Sequence, residues 1–271
     1  FQLTKENVVK INQNTLNRRN STIIENKISL VNKNKEQSLI KEQLLTNITA
    51  LYREYFKTFA AITSMRITKM LENLSKTIAT ISKISVSEER KEVLLPLVDY
   101  IQNKVKANQE IRLNFICTHN SRRSHLSQIW AQTMAFQFGI KNVICYSGGT
   151  EATAMFPKVG ETLTNQGFQI QKVSQEQNPI YAVKFDKDQY PIICFSKAYF
   201  DDFNPKSHFG AIMTCTNADE GCPMVFGAEA RFPIKYDDPK AFDDTELMDE
   251  KYSERSLQIA SEMYYVFSQI K

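Results

Sequence analysis

The stretch Asn114-Phe115-Ile116-Cys117-Thr118-His119-Asn120-Ser121-Arg122-Arg123-Ser124-His125 decides how the chain is read. An apolar strand pattern ends in a cysteine, an arginine stands six residues later, and a helix pattern begins there. A loop of this kind turns successive backbone N–H groups toward one point at a helix N-terminus, a concavity that binds a tetrahedral oxyanion. Arg123 adds a two-pronged clamp for two of the anion's oxygens. The same positive field favours the thiolate of Cys117. Ser124 is placed to hydrogen-bond that thiolate, and Asn120 to brace the loop. Thr118, His119, Ser121 and Arg122 complete the expected anion-facing wall. A thiolate held beneath an oxyanion is an arrangement for nucleophilic catalysis. The competing reading is a buried structural cysteine with an incidental arginine; the strand–loop–helix setting favours the catalytic one.

Outward from this loop, strand and helix patterns alternate. Strands are expected at Arg112–Ile116, Asn142–Ser147, Phe209–Thr214 and Arg231–Tyr236, and a hairpin over 179–196. Helices are expected over 122–138, with Leu126, Ile129, Trp130 and Met134 on one side, and over 155–166 and 246–270. This alternation predicts an α/β fold, a parallel sheet flanked by helices, over residues 110–271.

The chain before it differs in composition. All eight glycines lie at or after Gly139, and seven of the eight prolines at or after Pro157. A segment with neither favours helix. Residues 1–35 are Asn-rich and expected to be poorly ordered. Residues 36–109 read as an all-helical N-terminal region. Its stripes are Ile40, Leu44, Ile48, Leu51, Tyr55 and Phe59; then Ile67, Met70, Leu74, Ile78 and Ile81; then Leu94, Val98, Ile101 and Val105. Ser85–Glu88 reads as a capping box for the third helix, and Pro96 as a kink or restart within it. The apolar faces are expected to pack on the neighbouring domain; a small helical domain of their own, or self-association through these helices, are the alternatives.

Composition excludes several classes. The net charge of +4 over 271 residues is too mild for a dedicated nucleic-acid binder. No run of about 18 apolar residues predicts a membrane span, and no secretory signal pattern opens the chain. Five cysteines, none before Cys117, do not read as a secreted disulfide framework. Thiols in a reducing compartment, the cytoplasm, fit better.

Two further features gain meaning beside the loop. Asp237-Asp238-Pro239 follows the last strand, and Asp238 is placed to protonate a departing oxygen; alone, Asp-Pro is turn chemistry. Cys215 and Cys222 stand seven residues apart in a polar, Gly-containing segment expected to be mobile. They can bridge if their Cα atoms come within about 7 Å. Redox-active thiols, structural thiols, or a zinc half-site with His208 are the readings, and no metal is predicted because the spacing suits zinc poorly. Cys145 and Cys194 sit in apolar strands as core residues, with His125 and Trp130 structural.

Together, Cys117 to Ser124, the turn Tyr146-Ser147-Gly148-Gly149-Thr150-Glu151, Cys215 with Cys222-Pro223, and Tyr236-Asp237-Asp238-Pro239 resemble the low-molecular-weight protein tyrosine phosphatases and the thioredoxin-coupled arsenate reductases built on their fold. The later cysteine pair resembles the reductase branch. The resemblance implies reduction of arsenate to arsenite. Cys117 attacks the anion held by Arg123, Asp238 protonates the leaving oxygen, Cys215 attacks Cys117, and Cys222 attacks Cys215. Thioredoxin then reduces the Cys215–Cys222 disulfide, and no cofactor is implied. The alternative is a phosphomonoester hydrolase working through a phosphocysteine at Cys117. Against that reading, Lys240 stands where such phosphatases often place an aromatic wall. A third reading is a non-enzymatic oxyanion- or redox-sensing module. The chain departs from the family at His119, commonly glycine; at Arg122, often a second cysteine; at Gln128, where some reductases use Glu to bind potassium; and in a longer 174–206 segment. The helices before residue 110 lie outside the resemblance.

Replacing Arg123 by Lys is expected to fail badly in turnover, because a point charge does not reproduce a planar two-pronged donor. Wild-type rates in that variant would show that Arg123 is not the clamp.

Overall fold

The computed structural model describes residues 70–221 and 224–271. The first helical stripe, the start of the second at Ile67, and Cys222 with Pro223 lie outside the described residues. The described residues form one compact unit.

β1 (Ile111–Cys117) is the middle of the fold. Apart from Arg112 its residues are all buried, as a parallel strand covered on both faces requires. It pairs in parallel with β2 (Val143–Gly149) on one side and β6 (Phe209–Met213) on the other. β7 (Ala228–Phe232) pairs in parallel with β6, so the sheet runs β2-β1-β6-β7. All four strands therefore end on one edge. The chain order reverses across β1, the crevice where open α/β sheets hold ligands.

α3 (Arg123–Gln137) leaves β1 through the oxyanion loop and is buried almost all round. The expected stripe Leu126, Ile129, Trp130 and Met134 is fully enclosed between the sheet and α6 (Met248–Ser268). Trp130 satisfies its indole N–H on Ser256 Oγ at 2.9 Å and meets Phe168 edge-on at 4.9 Å. α4 (Pro157–Asn165) starts on a proline, which suits a first helical position.

The described part of the helical region shares this core. α1 (Glu72–Ile81) buries Leu74, Ile78 and Ile81, and α2 (Glu88–Lys106) buries Leu94, Leu97, Val98 and Ile101. α2 packs on β1, β7 and α6. Arg90 grips Glu262 of α6 with Nε at 3.0 Å and Nη2 at 2.6 Å.

Several local expectations shift. The cap of α2 is Ser87, whose Oγ accepts from Arg90 N at 3.3 Å, and not Ser85. Pro96 does not restart α2, which runs unbroken through it: the residue sits on the exposed face, where the carbonyl it leaves without a partner meets solvent. The hairpin appears as β4 (Tyr181–Lys184) and β5 (Ile192–Cys194). β3 (Gln169–Lys172) adds a third antiparallel strand; its QIQK pattern carries one apolar residue, too few to announce it. The segment after Cys215, expected to be mobile, forms a short helix, α5 (Thr216–Gly221). The last strand ends at Phe232 because Pro233 brings no N–H to continue the ladder.

If α1 and α2 belong to the same cooperative unit, Leu97→Ala should lower global stability by about 2–5 kcal/mol in a single denaturant transition. A separate early transition for α2 would contradict that.

Candidate active site

Cys117 closes β1 with its side chain 4% exposed. The following loop is held by its carbonyls. Cys117 O accepts from Thr150 N at 3.1 Å and Thr118 O from Glu151 N at 2.9 Å. His119 O accepts from Ser196 Oγ at 2.9 Å and Thr153 Oγ1 at 3.0 Å, and Ser121 O from Phe156 N at 3.0 Å. With these oxygens engaged outside, the N–H side of the same peptides is left to face the loop's interior. That is the condition for an anion nest.

Asn120 is the internal strut. Its backbone is left-handed, φ 43°, a region Asn tolerates better than most residues. Its Oδ1 accepts from Lys197 N at 2.9 Å, and its Nδ2 donates to Ser124 Oγ at 2.8 Å. Ser124 Oγ also lies 3.1 Å from Cys117 Sγ, within hydrogen-bond reach of the sulfur. Gly149 admits no side chain: a Cβ would sit 2.3 Å from Glu151 O and 2.6 Å from Thr118 O.

Arg123 donates through Nη1 to Tyr236 O at 2.9 Å and through Nη2 to Asp238 Oδ2 at 2.5 Å. The clamp and the acid are therefore paired to each other, while the buried Nε of Arg123 makes no hydrogen bond among the described residues. Asp238 caps a 3-10 turn, Pro239–Phe242, accepting from Lys240 N at 3.1 Å. Lys240 itself is exposed.

Cys215 follows β6, the strand beside β1, and shares a small buried cluster with Cys117, Ile116 and Met213. Its sulfur is 3.5 Å from Thr118 Oγ1 and accepts Ala218 N–H at 3.4 Å, capping α5. The structure thus gathers Cys117, Thr118, Asn120, Ser124, Arg123, Asp238 and Cys215 at one sheet edge. The partner thiol Cys222 lies outside the described residues.

Two of the candidate anion ligands face elsewhere. His119 is half-exposed, with Nε2 3.7 Å from Glu151 Oε2. Arg122 gives its guanidinium to Asp243 and Tyr252, at 2.5 Å each. Cys145 and Cys194 are fully enclosed, and burial pushes both thiols up, Cys194 to about 12. Neither is suited to be a nucleophile at neutral pH. Gln128 donates to the carbonyls of Cys145 and Ile193. Among the described residues no three His, Cys, Asp or Glu side chains gather as a metal site, and no helix is long and apolar enough to cross a membrane.

Sequence reasoning missed the Ser196-Lys197 pair. Their main-chain and hydroxyl groups hold His119 and Asn120, roles that carry no sequence signature. Lys197 is 1% exposed, its Nζ donating to Phe195 O at 3.2 Å over the Phe195 ring. Burial pushes its amine down to about 8.

A family model described as low molecular weight phosphotyrosine protein phosphatase matches residues 112–190. No curated protein matches the chain. Similar solved structures include a low molecular weight protein tyrosine phosphatase from T. tengcongensis (14% identity, 59% of this chain and 100% of that one, TM-score 0.41). A low molecular weight phosphotyrosine phosphatase from Vibrio cholerae matches at 15% identity over 58% and 94%, TM-score 0.39. An arsenate reductase from Archaeoglobus fulgidus matches at 15% over 58% and 98%, TM-score 0.35.

His125, fully buried behind the loop, provides a pH signature. Burial, then the nearby Lys197 charge, push it down to about 3. An unfolded histidine takes up its proton near pH 6.5, so the folded state binds fewer protons between those values. Stability present above about pH 6.5 is therefore lost as pH falls, by up to about 1.4 kcal/mol per pH unit from this group. Denaturation of the wild type between pH 7 and 5 should show a steeper loss than His125→Gln. Equal slopes would remove His125 as the cause.

Proposed function

We propose that the chain reduces arsenate to arsenite through a cysteine relay, drawing its electrons from thioredoxin in the cytoplasm. The observation that carries this reading is the position of Cys215: a second thiol, buried beside the nucleophile's strand and 3.5 Å from the hydroxyl of Thr118 in the oxyanion loop. Hydrolysis by Cys117, Arg123 and Asp238 makes no chemical use of a second thiol there.

In this reading Thr118, His119, Asn120, Ser121 and Arg122 contribute their peptides to the nest, and Arg123 holds two anion oxygens. The Cys117 thiolate bonds to arsenic, and an oxygen leaves as water with the proton from Asp238. The Cys215 thiolate then attacks the Cys117 sulfur. The sulfur–arsenic bond breaks, and its electron pair stays on arsenic, which leaves as arsenite. Cys222 attacks Cys215 and frees Cys117 as thiolate. External thioredoxin reduces the Cys215–Cys222 bond by the same exchange chemistry.

A second reading is phosphomonoester hydrolysis by Cys117, Arg123 and Asp238 alone. The phosphatase family match over 112–190 favours it. The exposed Lys240 beside the acid, in place of an aromatic wall, does not.

Arsenate-dependent NADPH oxidation with thioredoxin and its reductase, run beside hydrolysis of an aryl phosphate, separates them. Robust arsenate turnover with weak hydrolysis is expected. Strong hydrolysis with no arsenate turnover would make the chain a phosphatase. Cys117→Ser should abolish all activity, whereas Cys222→Ser should complete one turnover and stall. Sustained turnover by Cys222→Ser would eliminate the relay.

A further inference from the structure

Arg122 and Arg123 are neighbours in the loop, yet their guanidinium groups go to different partners. Arg122 Nε donates to Tyr252 Oη and Nη2 to Asp243 Oδ2, both at 2.5 Å. Tyr252 Oη donates to Asp243 Oδ1 at 2.6 Å, closing a triangle. The guanidinium plane lies over the Phe156 ring at 4.0 Å, and Phe156 stacks on Tyr252 at 5.8 Å. The two charges are 11% and 18% exposed, so neither is free to be replaced by solvent without loss.

Asp243 closes the 3-10 turn that Asp238 opens, its N–H donating to Lys240 O at 3.0 Å. Six residues therefore form one short turn, with the acid at one end and the Arg122 contact at the other. At the acid end the tie to the oxyanion loop is Arg123, the group an arriving anion must recruit. The Arg122–Asp243 pair is a second side-chain tie between the acid turn and the loop, one that does not depend on what the Arg123 guanidinium holds, through its unpartnered Nε or otherwise.

We infer that Arg122 is a positioning residue: it fixes the acid turn to the oxyanion loop through Asp243, so that Asp238 stays within reach of the leaving oxygen while Arg123 holds the anion. This rests on the oxyanion-enzyme reading above and extends it. It assigns to Arg122 a role other than charge for the anion.

The test uses Arg122→Met and Asp243→Asn, which break the tie from opposite sides. Single-turnover arsenate reduction and aryl phosphate hydrolysis are both measured, with inorganic phosphate binding by calorimetry. Each variant should lose about 10- to 100-fold in rate, the range expected for a misplaced catalytic group. KM and phosphate Kd should stay within about twofold. In an Asp238→Asn background neither variant should cost anything further. A tenfold rise in phosphate Kd in Arg122→Met alone would make Arg122 an anion ligand and overturn the inference. So would rate losses that persist without Asp238. A wild type with neither activity would instead sink the enzyme reading. Amide exchange then judges the tie itself: residues 239–247 should exchange about tenfold faster in both variants, with 117–121 unchanged. Unchanged exchange in 239–247 would overturn it.

Discussion

Each peptide between Cys117 and Ser124 carries a donor and an acceptor on opposite edges. A loop that is to hold an anion must find another home for every acceptor. The described structure meets this with two segments distant in sequence, Thr150–Phe156 after β2 and Ser196 after β5, which bond the carbonyls of Cys117, Thr118, His119 and Ser121. The rest of the architecture serves that requirement. The parallel register places Gly149 opposite Cys117, so the β2 turn arrives beside the loop. The absence of a side chain at Gly149 lets it come close enough to bond. The antiparallel sheet delivers Ser196 and Lys197 from the other direction.

The charges obey the same economy. Arg123 holds the acid through Nη2 and the Tyr236 carbonyl through Nη1, so one guanidinium ties the loop to the segment after β7. Cys215 is held by a helix that its own sulfur caps. The sulfur that lies beside the Thr118 hydroxyl therefore also anchors the first turn of α5.

What could be read from the chain and what could not divide by the range of the interactions. The oxyanion loop was legible because its spacing is local: a strand end, a six-residue reach to arginine and a helix start lie within a dozen residues. The fully buried stripe of α3 was legible for the same reason. Asp238 carried only a turn signal, and its place beside Arg123 comes from strands that meet 115 residues apart. The direction of Arg122 depends on partners 121 and 130 residues away. Lys197 reads as a surface residue in sequence; only the surrounding Phe195 and Phe203 rings make it an interior one. Pro96 lies off the apolar stripe Leu94, Val98 and Ile101, and a proline on the exposed face leaves its orphaned carbonyl to water, so the helix continues through it.

The second helix of the described region has one more effect. β7 is an outer strand of the parallel sheet, and an outer strand offers unpaired main-chain groups to any other chain. α2 lies against it: Tyr100 meets Phe232 at 5.4 Å and bonds Glu229 at 2.7 Å, and Lys104 pairs with the same carboxylate at 2.6 Å. A chain shortened to the portion after α2 would bare the apolar surface that Leu94, Leu97 and Ile101 cover, beside this outer strand. Its first failure would be self-adhesion, with the oxyanion loop still intact.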